Sequence, residues 1–125
     1  MRIYWMRTLN TMAEYETALK NGARETVVIF YSSWCPDCHR LEPYLDRLEA
    51  VFPDIDFYYV QREKHPVLAN HLNIYGVPSV LYYVKDDLKQ TYIDPFYKSP
   101  GMITHFIAEA RQGRNAGATL QTKIR

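Results

Sequence analysis

Cysteine is scarce: the 125-residue chain holds two, Cys35 and Cys38. A disulfide-stapled mini-protein needs more, and a bond across so short a loop removes little unfolded-state entropy, so any disulfide here is chemical rather than structural. Excess charge of one sign is also missing, with 15 Lys and Arg against 14 Asp and Glu for a net +1. Without a broad basic footprint, neither nucleic acid nor an anionic membrane surface is expected as a partner. No stretch approaches the roughly 18 consecutive apolar residues of a membrane span. The first ten residues lack the apolar run of roughly 7–15 residues that a secretion signal needs, which makes a reducing cytoplasm the expected setting. Five Gly and seven Pro are too few for a collagen-like or low-complexity chain, and 47% hydrophobic residues suit an ordinary globular core. Residues 1–125 are expected to form one domain, with 111–125, which carry four cations and no acid, as a solvated and frayed tail.

Aromatics are plentiful, at 14% with 11 Tyr. Ile3 and Trp5 alternate with polar neighbours as in a short edge strand, and Thr11 with Glu14 predicts a helix start that runs to Gly22. Thr26–Tyr31 is apolar without alternation, the pattern of a central strand covered on both faces. Leu41, Tyr44, Leu45, Leu48 and Phe52 then recur at helical spacing, with Pro43 inside the run as a kink. A second inner strand is expected at Ile55–Val60, a short helix at His65–Leu72 and a third strand at Val80–Val84. After a turn at Lys85–Asp87 come a short strand at Gln90–Ile93 and a last helix capped by Ser99 with Pro100 in its first position. This order predicts an α/β layer arrangement with helices on both faces of one sheet.

The chemistry sits in Trp34-Cys35-Pro36-Asp37-Cys38, where a buried strand turns into an amphipathic helix. A helix start offers unpaired N–H groups and the positive end of the macrodipole, which favour a thiolate. Cys35 is the candidate nucleophile, and Cys38, one turn on and facing the protein, suits a resolving thiol. Other readings are weaker. Cys35-Pro-Asp-Cys38-His39 has the spacing of covalent haem attachment, which belongs to exported chains. A structural zinc site needs four ligands, and His39, His65, His71 and His105 are scattered, so no metal is expected. Two inert core cysteines do not fit a helix start beside Trp and Pro.

The run Val27–Cys38, Pro43 eight positions after Cys35, and Tyr75-Gly-Val-Pro-Ser79, whose Pro78 follows Cys35 by 43 positions, together resemble the thioredoxin family across nearly the whole chain. The resemblance implies a thioredoxin fold, a central mixed β-sheet flanked by helices on both faces. It implies a dithiol–disulfide cycle on Cys35 and Cys38 that reduces disulfides in protein substrates, with no cofactor in the chain, a thioredoxin-reductase-like electron donor and a monomeric state. Trp34, Pro36, Asp37 and Pro78 would support the site. Pro78 would be cis, and Trp34, Val77, Pro78 and Phe96 would meet substrate, Val77 through its backbone.

Departures from the family pattern carry their own expectations. Ile29 stands where a buried acid is usual and Tyr59 where a lysine often accompanies it, so proton transfer falls to water, Tyr59 or Asp37, and resolution is expected to be slower than usual. A carboxylate at Asp37 opposes a nearby thiolate and argues against a strong oxidant; a potential of about −200 to −270 mV is expected. His39 either stabilises the Cys35 thiolate as a cation or is simply exposed. Phe96 either forms a substrate-contacting wall or fills the core beneath the last helix. The pairs Tyr58-Tyr59 and Tyr82-Tyr83 are expected to serve both faces of the sheet. The competing function is a thioredoxin-fold interaction or redox-sensing module without turnover.

Overall fold

The computed structural model describes residues 8–22 and 24–113. Strand β1 (Glu25–Tyr31) is buried from Thr26 onward, because it pairs on both edges and is covered on both faces. It runs parallel to β2 (Ile55–Gln61) and antiparallel to β3 (Ser79–Val84), and β4 (Asp87–Tyr92) adds antiparallel to β3, giving the mixed order β2-β1-β3-β4.

Residue alternation assigns the faces. Ile29 is in register with Val80 and Tyr59, and Val80 with Tyr92, so these side chains share one side. On that side the Tyr59 hydroxyl donates to Glu49 of α3 (Leu45–Val51) at 2.7 Å, and Tyr92 packs on Phe106 of α5 (Pro100–Arg111). Tyr83 points to the other side, where its hydroxyl bonds Tyr15 of α1 (Met12–Asn21). Helices therefore flank both faces. The two Tyr pairs are largely buried in the sheet as expected, with only Tyr58 partly open.

Capping follows the sequence closely. Thr11 Oγ1 accepts from the Glu14 N–H, while the Glu14 carboxylate reaches back to the Asn10 N–H at 2.8 Å. Ser99 Oγ accepts from the Met102 N–H, and Pro100 opens α5, where a missing N–H costs nothing.

Four expectations need correction. Pro43 does more than kink a rod: α2 (Pro36–Leu41) gives way to a 3-10 turn at Glu42–Tyr44 before α3 resumes. That tighter turn changes the helical phase, so Tyr44 leaves the apolar stripe and stands exposed under Arg47, while Leu41, Leu45, Leu48 and Phe52 remain buried. Strand β4 begins at Asp87 rather than Gln90, since the turn closes within Lys85 and Asp86, with Lys85 at a positive φ of 57°. Arg111 belongs to the body and not to a frayed tail. It ends α5 and binds Glu25 at 2.7 Å and Asp54 at 2.5 Å, fastening the helix to the start of β1. Gln112 and Gly113 close the helix end, their N–H groups donating to the Glu109 and Ala110 carbonyls, while residues 114–125 of that tail and the expected edge strand at Ile3–Trp5 lie outside the described residues. Pairing along the outer edge of β2 is seen from Thr8, which bridges Tyr59 in parallel.

Candidate active site

Strand β1 ends at Tyr31, and a four-residue loop delivers Cys35 as the N-cap of α2. Cys35 Sγ accepts the Cys38 N–H at 3.2 Å, using a backbone donor that a helix start leaves unpaired. The thiol itself donates to the Val77 carbonyl at 3.7 Å. Both sulfurs are free thiols, Cys35 4% and Cys38 2% exposed. Burial pushes the Cys38 thiol well above the usual thiol range, and the neighbouring Cys35 sulfur and Asp37 carboxylate add to it; a backbone hydrogen bond at Ser32 opposes them. An outer sulfur at a cleft floor and an inner one that holds its proton form an asymmetric pair.

The loop before the motif is clamped from two sides. Glu63 Oε2 accepts the Ser33 N–H at 3.1 Å, the Ser33 hydroxyl at 2.9 Å and the Gln61 amide at 2.7 Å. The His39 ring donates Nε2–H to the Ser33 carbonyl at 2.7 Å. His39 is thus exposed and engaged with the backbone. Burial alone would raise the Glu63 carboxyl, but the bonds from Gln61 and Ser33 win and bring it from 4.5 down to about 2. A depressed carboxylate contributes stability that is complete above pH 4.5 and drains away as pH falls toward about 2. Glu63→Gln should therefore flatten the acid limb of the stability curve in that window, measured by thermal denaturation against pH. Parallel limbs for both proteins would refute the linkage.

The opposite wall of the cleft is the Asn73–Pro78 loop. Asn73 adopts a positive φ of 58°, which its short polar side chain tolerates, and the Val77–Pro78 peptide bond is cis. Each turn of this loop is tied down: Arg62 Nε donates to the Ile74 carbonyl at 2.6 Å, Tyr75 to the Ile93 carbonyl at 3.0 Å, and Ser79 to the Gly76 carbonyl at 2.6 Å. Gly76 packs directly on the backbone of Asp94 and Pro95.

Together these loops enclose a cleft of about 290 Å³ whose walls include Trp34, Cys35, Asp37, Val77 and Pro95. Trp34 is 69% exposed and lines the cleft, the place expected of a residue that meets substrate. Phe96, at 70%, stands out from the surface and fills no core; it is Pro95, its neighbour, that lines the cleft. Asp37 pairs with Arg40 at 3.5 Å, and Arg40 stacks over Tyr97 at 4.0 Å, which joins α2 to the 94–97 loop. Tyr59 directs its hydroxyl to Glu49, and its partner in register, Ile29, is buried. Among the described residues no cluster of three or more His, Cys, Asp or Glu is arranged to hold a metal ion, and no helix is long and apolar enough to cross a membrane.

Sequence reasoning missed Glu63, Arg40 and the fully buried Lys98. Glu63 and Ser33 are 30 positions apart, so only the parallel pairing of β1 with β2, which ends both strands at the same edge, would have suggested their meeting.

Comparison with known proteins agrees with this geometry. The family model for thioredoxin matches residues 7–109. A thioredoxin of Geodia cydonium is 31% identical over 86 residues, covering 68% of this chain and 81% of that protein. Thioredoxin-2 of Saccharomyces cerevisiae is 25% identical over 75 residues, covering 60% and 72%. Among solved structures, oxidised mitochondrial thioredoxin 3 of the same yeast superposes with a TM-score of 0.75 at 20% identity, over 86% of this chain and 98% of that one, and so shares the fold. With cysteine pair, fold and relatives aligned over most of its length, the chain belongs to the thioredoxin family and is a thiol–disulfide oxidoreductase.

Proposed function

We propose that the protein reduces disulfides in other proteins, with Cys35 as nucleophile and Cys38 as resolving thiol. The observation that carries this reading is the asymmetry of the pair: Cys35 lies at the cleft floor with its sulfur on a backbone N–H, while Cys38 lies beneath it and is held protonated by burial. Cys35 thiolate attacks one sulfur of the substrate disulfide, breaking that bond, forming a mixed disulfide and releasing the first substrate thiol. Cys38 then loses its proton and attacks Cys35 Sγ. The Cys35–Cys38 bond forms as the second substrate thiol leaves, so two electrons pass to the substrate and the protein is left oxidised. A dithiol reductase of the thioredoxin-reductase kind would return those electrons.

An extended substrate segment fits beside Val77, with Trp34 as an apolar lip and Tyr75, 64% exposed, on the same cleft; Phe96, exposed next to Pro95, would meet a substrate that extends past the cleft. We place this activity in a monomer in a reducing cytoplasm. The test is the potential of the Cys35–Cys38 pair, equilibrated in defined dithiothreitol ratios and followed by Trp34 fluorescence. A value of about −200 to −270 mV is expected for a reductase, whereas a value above about −180 mV would make it an oxidant or isomerase.

A further inference from the structure

The 3-10 turn Arg62–Lys64 follows β2, and the register of the parallel pair sets Gln61 level with Tyr31. The residue after β2 therefore emerges beside the loop after β1, and Arg62 lines the same cleft as Cys35, Asp37 and Val77. Half-buried there, it is pinned by one bond, its Nε–H donating to the Ile74 carbonyl at 2.6 Å. That bond uses the donor nearest the stem. Both terminal nitrogens of the planar guanidinium, with four N–H groups, have no acceptor among the described residues. A fork held in this way loses little further freedom when it takes a carboxylate end-on through those two nitrogens.

Each carboxylate on the segments that wall the cleft is already engaged. Asp37 pairs with Arg40 at 3.5 Å, and Glu63 takes the Ser33 and Gln61 donors. Asp94 binds the buried Lys98 ammonium at 2.7 Å, and Lys98 donates as well to the Asp94 and Phe96 carbonyls. Arg62 forms no ion pair among the described residues, so the cleft holds a partly desolvated cation whose counter-charge must come from solvent or from whatever binds there. Partial burial of a charge without a partner costs free energy, and a ligand that brings the opposite charge recovers it.

We propose that Arg62 is a specificity residue that selects protein disulfides whose attacked cysteine is flanked by a glutamate or aspartate, receiving that carboxylate on its terminal N–H groups. This rests on the reading of the protein as a disulfide reductase; the exchange at Cys35 and Cys38 keeps the atoms and electrons already described, and Arg62 takes no part in it. The other charges of the cleft fix where the carboxylate sits. Asp37 and the Cys35 thiolate repel it, so attraction prevails at the Arg62 end, beside Ile74 and Tyr75. Ile74 is three residues before Val77 on one loop, so a substrate segment lying along Val77 brings the side chains next to its cysteine toward Arg62.

The test uses two synthetic peptides, each closed by one disulfide and identical except that the residues flanking the cysteines are Glu in one and Gln in the other. Second-order rates of their reduction by the reduced protein, followed by tryptophan fluorescence, give a Glu-to-Gln ratio. Dividing by the ratio that dithiothreitol alone gives removes the peptides' own difference in reactivity. Two variants complete the cycle: Arg62→Gln keeps an amide donor for the Ile74 carbonyl and removes the charge, and Arg62→Lys keeps the charge and removes the fork. Because each ratio is taken within one protein, any loosening of the 73–78 loop cancels from it.

Exposed ion pairs contribute up to about fivefold and hydrogen bonds to charged groups more than about tenfold, so a half-buried Arg62 should give the wild type a ratio of about five- to tenfold. Arg62→Gln should bring it to about one and Arg62→Lys to about two. A wild-type ratio of one overturns the inference, as does a wild-type ratio retained by Arg62→Gln. A full wild-type ratio in Arg62→Lys would leave only long-range steering by charge and overturns the forked contact. Failure of the wild type to reduce either peptide would sink the reductase reading itself, an outcome distinct from the others.

Discussion

Cys35→Ser should abolish the reduction of a protein disulfide, with a loss on the order of a thousandfold or more, because no hydroxyl can replace the thiolate that starts the exchange. Cys38→Ser should behave differently. Its outer sulfur still attacks, but nothing buried beneath it can displace the substrate, so the protein accumulates as a mixed disulfide. The prediction follows from the positions of the two sulfurs: Cys35 lines the cleft and Cys38 does not. Turnover with a reducible protein substrate, followed by non-reducing electrophoresis and mass spectrometry of trapped adducts, separates the two variants. Adducts on Cys38 in the Cys35→Ser protein would reverse the assignment of nucleophile. Retention of a cellular role by Cys35→Ser would instead favour an interaction module built on the same fold.

What made the cysteine pair legible was position in the chain, not the letters alone. The unbroken apolar run of β1 required a covered central strand, the helical period after Cys35 required a helix start there, and both requirements are local. The Gly76–Pro78 loop was legible only through the resemblance to the thioredoxin family, since a Gly-Val-Pro run by itself reads as an ordinary turn. Lys98 was not, because a lysine ahead of a Ser-Pro helix start has the pattern of a surface residue; its burial arises from Asp94 and Tyr92 folding around it. The Glu63 and Arg40 contacts were hidden for the same reason, since each joins elements far apart in sequence. Strand β4 defeated alternation: Asp87, Leu88 and Lys89 are all exposed on an edge strand, where backbone pairing to β3 and not side-chain burial fixes the structure. The lost phase at Tyr44 belongs to Pro43, whose consequence is a local change of helix type that periodicity alone does not register.

Gly76→Ala tests how the two walls of the cleft depend on each other. A Cβ there would lie 2.5 Å from Asp94 C, Pro95 Cα and Pro95 N. All three are backbone atoms, so no side chain can swing aside, and the 94–97 loop must retreat by about an ångström to reach ordinary contact. That loop is held in place by the three Lys98 bonds and by Tyr75 on the Ile93 carbonyl, which leaves it little freedom to move. Overpacking of this kind costs about 1–3 kcal/mol. Activity should fall further than stability, because residue 76 adjoins Val77, and a misplacement of an ångström in a positioning wall can lower rates on the order of a hundredfold. Gly101→Ala is the matched control: its Cβ would meet only Ser99 Oγ at 3.9 Å, and inside a helix the change should stabilise by up to about 1 kcal/mol. Denaturant midpoints and kcat/KM for both variants give the comparison. A Gly76→Ala protein with wild-type midpoint and wild-type kcat/KM would mean that the contact between the Gly76–Pro78 and 94–97 loops yields freely, and that the cleft wall is not positioned by it.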